Sequence, residues 1–150
     1  MNHNDTNTNK EVYDDDIIIK DCIFCKIIRN EIPSVKIYED NETLGFLDIN
    51  PNSRGHILII PKMHFENIYS LPVETWCHMN IKAQKIAVAL KHALSADGMN
   101  IVMNNESTAG QLIFHAHIHV IPRYNDHTEN KYTYIADEME EVAKEIKEVL

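Results

Sequence analysis

The segment QLIFHAHIHVIPR, residues 111–123, places histidine at every second position from 115 to 119. Successive side chains of a β-strand point to opposite faces, so this alternation predicts a strand over Phe114–Ile121 with three imidazoles on one face. The residues on the other face would enter the core; they are Ala116, Ile118 and Val120. The segment therefore predicts a strand with polar chemistry on one side and packing on the other.

Three imidazoles on one face compete for protonation, because each positive charge disfavours the next. Such a group is typical of a site in which neutral and charged rings have different tasks. From the residues alone three interpretations stay open: a catalytic imidazole group, a metal site of the HxH kind, and structural histidines. The metal interpretation is supported because imidazole is the commonest metal ligand. A catalytic metal would predict that a chelator abolishes turnover at once.

Hydrophobic periodicity predicts the remaining elements. Short elements are expected as a helix over Cys22–Arg29 and strands over Val35–Tyr38, Thr43–Asp48, His56–Ile60 and Asn100–Asn104. The apolar run HILII, residues 56–60, is continuous up to Pro61 and predicts a buried strand. A long helix is expected over Val73–Ala96, with Pro72 near its start and Gly98 as the stop signal after its end. The chain closes on an acidic amphipathic helix whose buried stripe would be Ile135, Met139, Val142, Ile146 and Val149. This order predicts one α+β domain built on antiparallel hairpins.

Composition limits the classes of function. The chain of 150 residues suits one domain, which we expect over residues 17–150 after a disordered, acidic and Asn-rich tail at residues 1–16. The formal net charge of -9 argues against a nucleic-acid partner, which would need a basic face. An odd number of cysteines, three, is typical of a reducing compartment, so the expected location is the cytoplasm, with a nuclear pool left open. No apolar window is long enough to predict a membrane partner.

The run HAHIHVI, residues 115–121, resembles the HxHxHxx signature of the histidine triad (HIT) superfamily. The resemblance extends to CIFCKIIRNEIPSVKIYEDNETLGFLDINPNSRGHILIIPKMH, residues 22–64, which is similar to the Hint-type and bacterial HIT proteins, and to MNNESTAGQ, residues 103–111. It implies a HIT-like fold with an antiparallel sheet of about five strands, one long helix and a C-terminal helix. It also implies that the sheet continues across a homodimer.

The resemblance implies that His117, the middle histidine, attacks the α-phosphate of a nucleotide. Neutral imidazole can attack phosphorus and then leave from a labile P–N bond, which divides one difficult displacement into two. In the family the second ring nitrogen is held by the backbone carbonyl of the residue that corresponds to His115. The rest of the implied catalytic set comprises His115, His119, Gln111 and His56. Gly110 would let the backbone approach the phosphate closely.

The same resemblance implies a nucleotide pocket. Asp48 corresponds to the carboxylate that binds the ribose hydroxyls, and an apolar cleft would hold the purine by area and shape. The implied binding set is Ile23, Phe24, Ile27, Ile32, Phe46, Leu47, Asp48, Ile49, Asn104, Gly110, Gln111, Leu112, His117 and His119. Leu112 departs from the family pattern, where Ser or Thr often supplies a hydroxyl to the phosphate.

A CxxC pair at Cys22 and Cys25 is by itself a weak signal. In bacterial HIT proteins the corresponding pair forms a structural zinc site with two histidines, which here correspond to His64 and His115. Two thiolates and two imidazoles suit tetrahedral Zn²⁺. The alternative is two buried thiols and a surface histidine, since some relatives keep CxxC without bound metal. No metal is expected in the chemical step.

The implied function is hydrolysis of AMP–X compounds, adenosine 5′-phosphoramidates above all, through a nucleotidyl-histidine intermediate. The CxxC-bearing half resembles the Hint and bacterial branch, and no basic groove for extra phosphates is evident in the sequence. Two alternatives stay open: cleavage of dinucleoside polyphosphates, and a nucleotide-binding interaction module with incidental turnover. The expected partners are a purine nucleotide, AMP or an AMP conjugate, and a second copy of the chain.

Overall fold

The computed structural model of the protein describes residues 19–150. The tail expected at residues 1–16, and the expected start of the domain at residue 17, lie outside the described residues. The helices are α1 (Ile23–Ile28), α2 (Val73–Ala93) and α3 (Glu138–Val149), with a short 3-10 helix at Ser107–Ala109. The strands are β1 (Lys36–Glu39), β2 (Thr43–Leu47), β3 (Ile57–Pro61), β4 (Gly98–Val102) and β5 (Ile118–Arg123).

The five strands form one sheet in the order β1-β2-β3-β5-β4, and every neighbouring pair is antiparallel. This confirms the predicted α+β class and strand number. The first hairpin turns at Asp40, whose carboxylate accepts hydrogen bonds from the backbone N–H groups of Glu42 and Thr43. At the centre β3 pairs with β5, and Leu58 lies directly opposite His119. No helix within residues 19–150 is long and apolar enough to cross a membrane.

Strand β3 is buried on both faces, as its continuous apolar run predicted. Ile57 and Ile59 join the larger core cluster, which packs the sheet against α2 and α3. Leu58 and Ile60 join a second cluster with Phe24 of α1 on the opposite face. Because residues opposite each other in an antiparallel pair share a face, His119 lies on the α1 side of the sheet with Leu58.

The last strand begins later than predicted. Strand β5 starts at Ile118, so the prediction that all three histidines lie on one strand is wrong for His115 and His117. The register that pairs Ile59 with Ile118 would next place Pro61 near Ala116, and proline has no N–H for a ladder bond. The Ala116 N–H instead donates to the carbonyl of Phe65, 2.7 Å away.

Both long helices are shorter than expected. Helix α2 ends at Ala93 because Ser95 adopts a left-handed backbone, and Gly98 is the first residue of β4 rather than a helix stop. The predicted stripe of α3 is correct for Val142 and Ile146, with Met139 packed at the edge of the core. It is wrong for Ile135, which is 75% exposed and precedes the helix, and for Val149, which is 51% exposed at the final helical residue.

Candidate active site

A cavity of about 380 Å³ lies on the α1 side of the sheet. Every residue of the expected nucleotide-binding set lines it except Gln111, and so does His56. The cavity has an apolar end, formed with α1 and the residues that follow it, and a polar end that includes the histidines. Sequence reasoning missed Pro33, Ser34, Asn50, Asn52, Leu58 and Ile113, which also line it. Three of them, Pro33, Asn50 and Ile113, adjoin a predicted residue in the chain, and Leu58 could have been found because it alternates with His56.

His117 is held as a neutral ring. The carbonyl oxygen of His115 can only accept, so His117 donates its Nδ1–H to it over 2.7 Å and keeps its lone pair on Nε2. This confirms the hydrogen bond that the resemblance implied. Burial lowers the pKa of His117, an effect that the His115 carbonyl and the charge of Asp48 partly oppose. The ring also packs edge to face on Phe24, with centroids 5.2 Å apart.

A chain of hydrogen bonds sets the tautomer of His119. The backbone N–H of Asn52 donates to Nδ1 of His56 over 3.0 Å, so the proton of a neutral His56 must be on Nε2. That Nε2 lies 2.9 Å from Nδ1 of His119 and donates to it. The proton of His119 is therefore on its own Nε2. Burial lowers the pKa of each ring to about 4, and the nearby His117 adds to both shifts, so both rings are neutral at neutral pH.

The same chain bears on the metal interpretation of the histidine run. Ligand atoms of Asp48, His56 and His119 lie within 4.8 Å of one another. His56, however, must carry its proton on Nε2, the atom that faces both other groups, and a protonated nitrogen cannot ligate a metal. The hydrogen bonds therefore favour a neutral imidazole chain over a metal site at this end of the cavity.

Gln111 supports the loop before the histidines. Its side chain is buried, and Nε2 donates to the carbonyls of Glu66 (2.7 Å) and Ile113 (3.1 Å). Its Oε1 accepts from the N–H of Glu106 over 2.8 Å. Both N–H bonds of the amide are thus occupied, and the side chain lies outside the cavity, which differs from its expected role as a phosphate donor.

The remaining polar wall comes from short turns. Gly110 has φ of +91°, and a Cβ there would meet only Asn104 at 3.7 Å, so the left-handed backbone rather than crowding requires glycine. Asp48 accepts the N–H of Asn50 through Oδ1 and leaves Oδ2 at 3.7 Å from His56. Leu112 is 87% exposed at the cavity rim, so the departure from the family pattern places an apolar side chain at the entrance.

A second cluster lies beside the cavity, where Cys22, Cys25, His64 and His115 bring their ligand atoms within 4.8 Å of one another. Sγ of Cys25 is 3.3 Å from Nδ1 of His64 and 3.5 Å from Nδ1 of His115. The two Nδ1 atoms are 3.2 Å apart. Tetrahedral Zn²⁺ would separate S and N ligands by about 3.5 Å and two N ligands by about 3.3 Å. The spacing therefore fits a tetrahedral ion.

The protonation state of this cluster also fits a metal. His115 is fully buried and donates Nε2–H to the carbonyl of Pro61 over 2.8 Å, so its Nδ1 lone pair faces the thiols. A backbone carbonyl on the far nitrogen is the usual arrangement for a metal-binding histidine. Burial, with a smaller contribution from the neighbouring Cys22, raises the pKa of Cys25 to about 12. A thiolate here consequently requires a compensating positive charge.

The sequence matches the HIT domain family over residues 29–126. The chain therefore belongs to the HIT family, which confirms the resemblance seen in its sequence. At the level of the family, this is a class of nucleotide-binding hydrolases. An HIT-like protein of Methanocaldococcus jannaschii is 46% identical over 128 residues, which cover 84% of this chain and 98% of that protein.

Two further relatives bear on chemistry. An adenylylsulfatase of Arabidopsis thaliana is 48% identical over 103 residues, covering 69% of this chain and 52% of that protein. A Zn-bound histidine triad family protein from Mycobacterium smegmatis has the same fold, with a TM-score of 0.78 and 39% identity over 87% of this chain and 93% of that chain.

Proposed function

We propose that this protein hydrolyses adenosine 5′-phosphoramidates, and AMP–X compounds more generally, at the α-phosphate. The observation that carries the proposal is the state of His117, a buried neutral ring on the cavity wall whose Nδ1–H is bound to a carbonyl. Its only available lone pair is on Nε2, the atom that must attack phosphorus.

The reaction proceeds in two displacements. His117 Nε2 forms a bond to the α-phosphorus while the P–N bond of the substrate breaks, and the leaving nitrogen takes a proton from water at the cavity mouth. Water then attacks the nucleotidyl-histidine, the bond to Nε2 breaks, and AMP leaves while the water loses a proton. The first step converts a neutral ring into a phosphorylated cation, which is a good leaving group for the second.

In this proposal His119 stabilises charge rather than supplying a proton. Its Nδ1 accepts from His56, so a cationic His119 would bring two N–H groups face to face. The neutral ring keeps an Nε2–H that can donate to the phosphoryl oxygens as negative charge develops there. The amide of Gln111 is occupied, and the N–H groups of Ala109 and Gly110 are bonded within their own loop. The side-chain amide of Asn104, on the cavity wall, is therefore the further donor in this proposal.

The cavity also supports a purine ribonucleotide as the substrate class. Its apolar end is lined by Phe24 and Phe46, which pack edge to face with ring centroids 5.6 Å apart. Asp48 lies on the same wall, and a carboxylate can accept hydrogen bonds from both the 2′- and 3′-hydroxyls. Binding then depends on area at the base and on hydrogen bonds at the ribose.

A substrate panel tests this proposal. We expect the highest kcat/KM for AMP-phosphoramidate or AMP-lysine, with lower values for diadenosine triphosphate and tetraphosphate, and no immediate effect of a chelator. Adenylyl sulfate belongs in the panel as a second candidate, because a relative 48% identical is an adenylylsulfatase. A preference for the dinucleotides would contradict the proposed substrate class. Tight AMP binding without turnover of any compound would favour the interaction module.

We further propose that Cys22, Cys25, His64 and His115 hold one zinc ion per chain. The proposal is supported by the tetrahedral spacing, by the carbonyl bond of His115 and by the Zn-bound relative. The ion would join α1 to the segment that follows β3 and to the segment that carries His117. Its role is structural, since the cluster lies outside the residues that line the cavity.

We propose a homodimer on the basis of exposed apolar residues of β4 and α2. Strand β4 is at one end of the sheet, and its Ile101 is 50% exposed. Ile81 and Val88 of α2 are each 53% exposed. Pairing of β4 with its copy would cover a sheet edge. Light scattering at micromolar concentration should give twice the chain mass of 17.3 kDa, and a monomer mass would contradict the proposal.

A further inference from the structure

We propose that the C-terminal segment (residues 122–138), most of which lies beyond the matched HIT domain, positions the His56–His119 pair by holding the 51–55 loop, and that Tyr134 is the main positioning residue. The inference rests on the proposed function, in which His119 offers its Nε2–H to phosphate. None of the residues of the C-terminal segment lines the cavity.

The backbone of the 51–55 loop is bound repeatedly by the C-terminal segment. Tyr132 donates its N–H to the carbonyl of Pro51 over 2.9 Å, and the Tyr124 hydroxyl donates to the carbonyl of Arg54 over 2.7 Å. The N–H of Gly55 donates to the Tyr134 hydroxyl over 2.9 Å. The Ser53 hydroxyl donates to the carbonyl of Pro122. Four of the five loop residues are thus bonded to the C-terminal segment. The fifth, Asn52, donates its N–H to His56.

Side chains reinforce the same junction. Arg54 donates to Glu138 over 3.1 Å, and the Tyr132 hydroxyl donates to the same carboxylate oxygen. The second oxygen of Glu138 accepts the N–H of Ile135 over 3.0 Å. Glu138, the first residue of α3, therefore joins the 51–55 loop to the C-terminal segment, and these contacts form the junction between them. The loop has little room to move toward α2, because a Cβ at Gly55 would lie 2.4 Å from Leu94.

The loop in turn determines how His56 is protonated. His56 donates its own N–H to the carbonyl of Ser53 over 3.2 Å, which closes the turn beneath its ring. The turn aims the Asn52 N–H at Nδ1 of His56, so that Nε2 carries the proton and donates to His119. If the loop shifts, His56 is free to carry its proton on Nδ1. Nε2 then accepts, His119 must protonate its Nδ1, and the Nε2 that meets the phosphate becomes a lone pair.

The test compares Tyr134→Phe with Tyr38→Phe. Tyr134→Phe keeps the ring contact with Tyr132 but leaves the N–H of Gly55 without its hydroxyl partner. Tyr38 is a matched control, because it is also partly buried and its hydroxyl donates to Thr43 in the first hairpin, which the 51–55 loop does not touch. Each variant is assayed for kcat, KM and Tm on AMP-phosphoramidate, and ¹⁵N NMR of the histidine rings reports which nitrogen carries the proton.

We expect Tyr134→Phe to lower kcat about tenfold with KM changed less than about twofold, since a small misplacement of a catalytic donor is costly. The ¹⁵N spectrum should show a second tautomer of His56 and His119. Tyr38→Phe should lower Tm by as much as Tyr134→Phe does, because each variant loses one hydroxyl hydrogen bond, and it should change neither kcat nor the spectrum. Equal kcat values and equal spectra in the two variants would overturn the inference.

Two additions keep the outcome unambiguous. If Tyr134→Phe does not fold, Glu138→Gln weakens the same junction, and a change in the ring spectrum in the same direction is expected. The spectra are recorded without substrate, so they are independent of the proposed reaction. If the wild type turns over none of the substrates but Tyr134→Phe still changes the tautomers, the result supports the positioning role and contradicts the proposed function.

Discussion

His115 and His119 lie four residues apart in one segment and use their ring nitrogens in opposite ways. His115 gives its Nε2–H to the carbonyl of Pro61, which leaves the Nδ1 lone pair facing two thiols. His119 receives the Nε2–H of His56 on Nδ1, which leaves an N–H on Nε2. The first arrangement makes a ligand for a cation and the second makes a donor for an anion. The partner of the far nitrogen therefore decides what each histidine can do.

The largest expected effect is on kcat when the proposed nucleophile, His117, is replaced. His117→Ala should lower kcat on AMP-phosphoramidate by about 10³-fold or more while AMP affinity stays nearly unchanged, because covalent catalysis is lost and the pocket remains. Steady-state kinetics and calorimetric titration with AMP measure the two quantities. The exposed His92 on α2 is a control, and His92→Ala should behave as wild type. A His117→Ala protein with near wild-type turnover would show that another group attacks phosphorus.

A smaller effect on activity, with a large one on stability, is expected at the thiol cluster. Cys25→Ser should abolish the bound zinc, measured as one ion per chain by elemental analysis of the wild type, and lower Tm by about 10 °C. Turnover should fall much less than in His117→Ala, since the four proposed zinc ligands are not among the residues that line the cavity. Cys77→Ser removes an exposed thiol and should change neither zinc content nor Tm. Wild-type protein that carries no zinc after growth in zinc-replete medium contradicts the site.

The smallest effect concerns acid stability at the cavity histidines. Burial holds the pKa of His56 at about 4, below its ordinary value of 6.5. The unfolded chain therefore binds a proton there first, and the free energy of unfolding is lost as the pH falls from about 6.5 to about 4. Each such group contributes a slope of up to about 1.4 kcal/mol per pH unit in that window. His56→Gln should lower the slope of the unfolding free energy against pH by up to about 1.4 kcal/mol per pH unit, which corresponds to one proton.

Denaturant unfolding of wild type and His56→Gln at a series of pH values, with the same zinc concentration throughout, measures this difference. Equal zinc keeps the contribution of His115 the same in both proteins. The His92→Gln variant should keep the wild-type slope, because His92 is exposed on α2. If His56→Gln also keeps that slope, His56 does not carry the depressed pKa.

Local patterns in the sequence determined the order of the strands and helices and most of the cavity wall. The continuous apolar run before Pro61 predicted a strand buried on both faces, and alternation predicted Ala116, Ile118 and Val120 in the core. The residues that the HIT-like motifs singled out for a nucleotide pocket, Gln111 excepted, line one cavity, and their binding of a nucleotide stays a prediction. The strands and the core positions depend on residues close together in the chain, whose periodicity directly encodes the face that each side chain occupies, whereas the cavity residues were implied by the resemblance to the family.

Only the tertiary structure decided how the histidine run is divided. The strand begins at Ile118 because its partner strand ends at a proline, and the ring of His115 reaches the carbonyl of Pro61. The amide of Gln111 donates to the backbone carbonyl of Glu66. The N–H of Asn52 sets the tautomer of His56, and the loop that carries Asn52 is bonded to Tyr134, some 80 residues later in the chain. A hydrogen bond to a ring nitrogen is made with whatever the fold brings near, so neither spacing nor periodicity contains it.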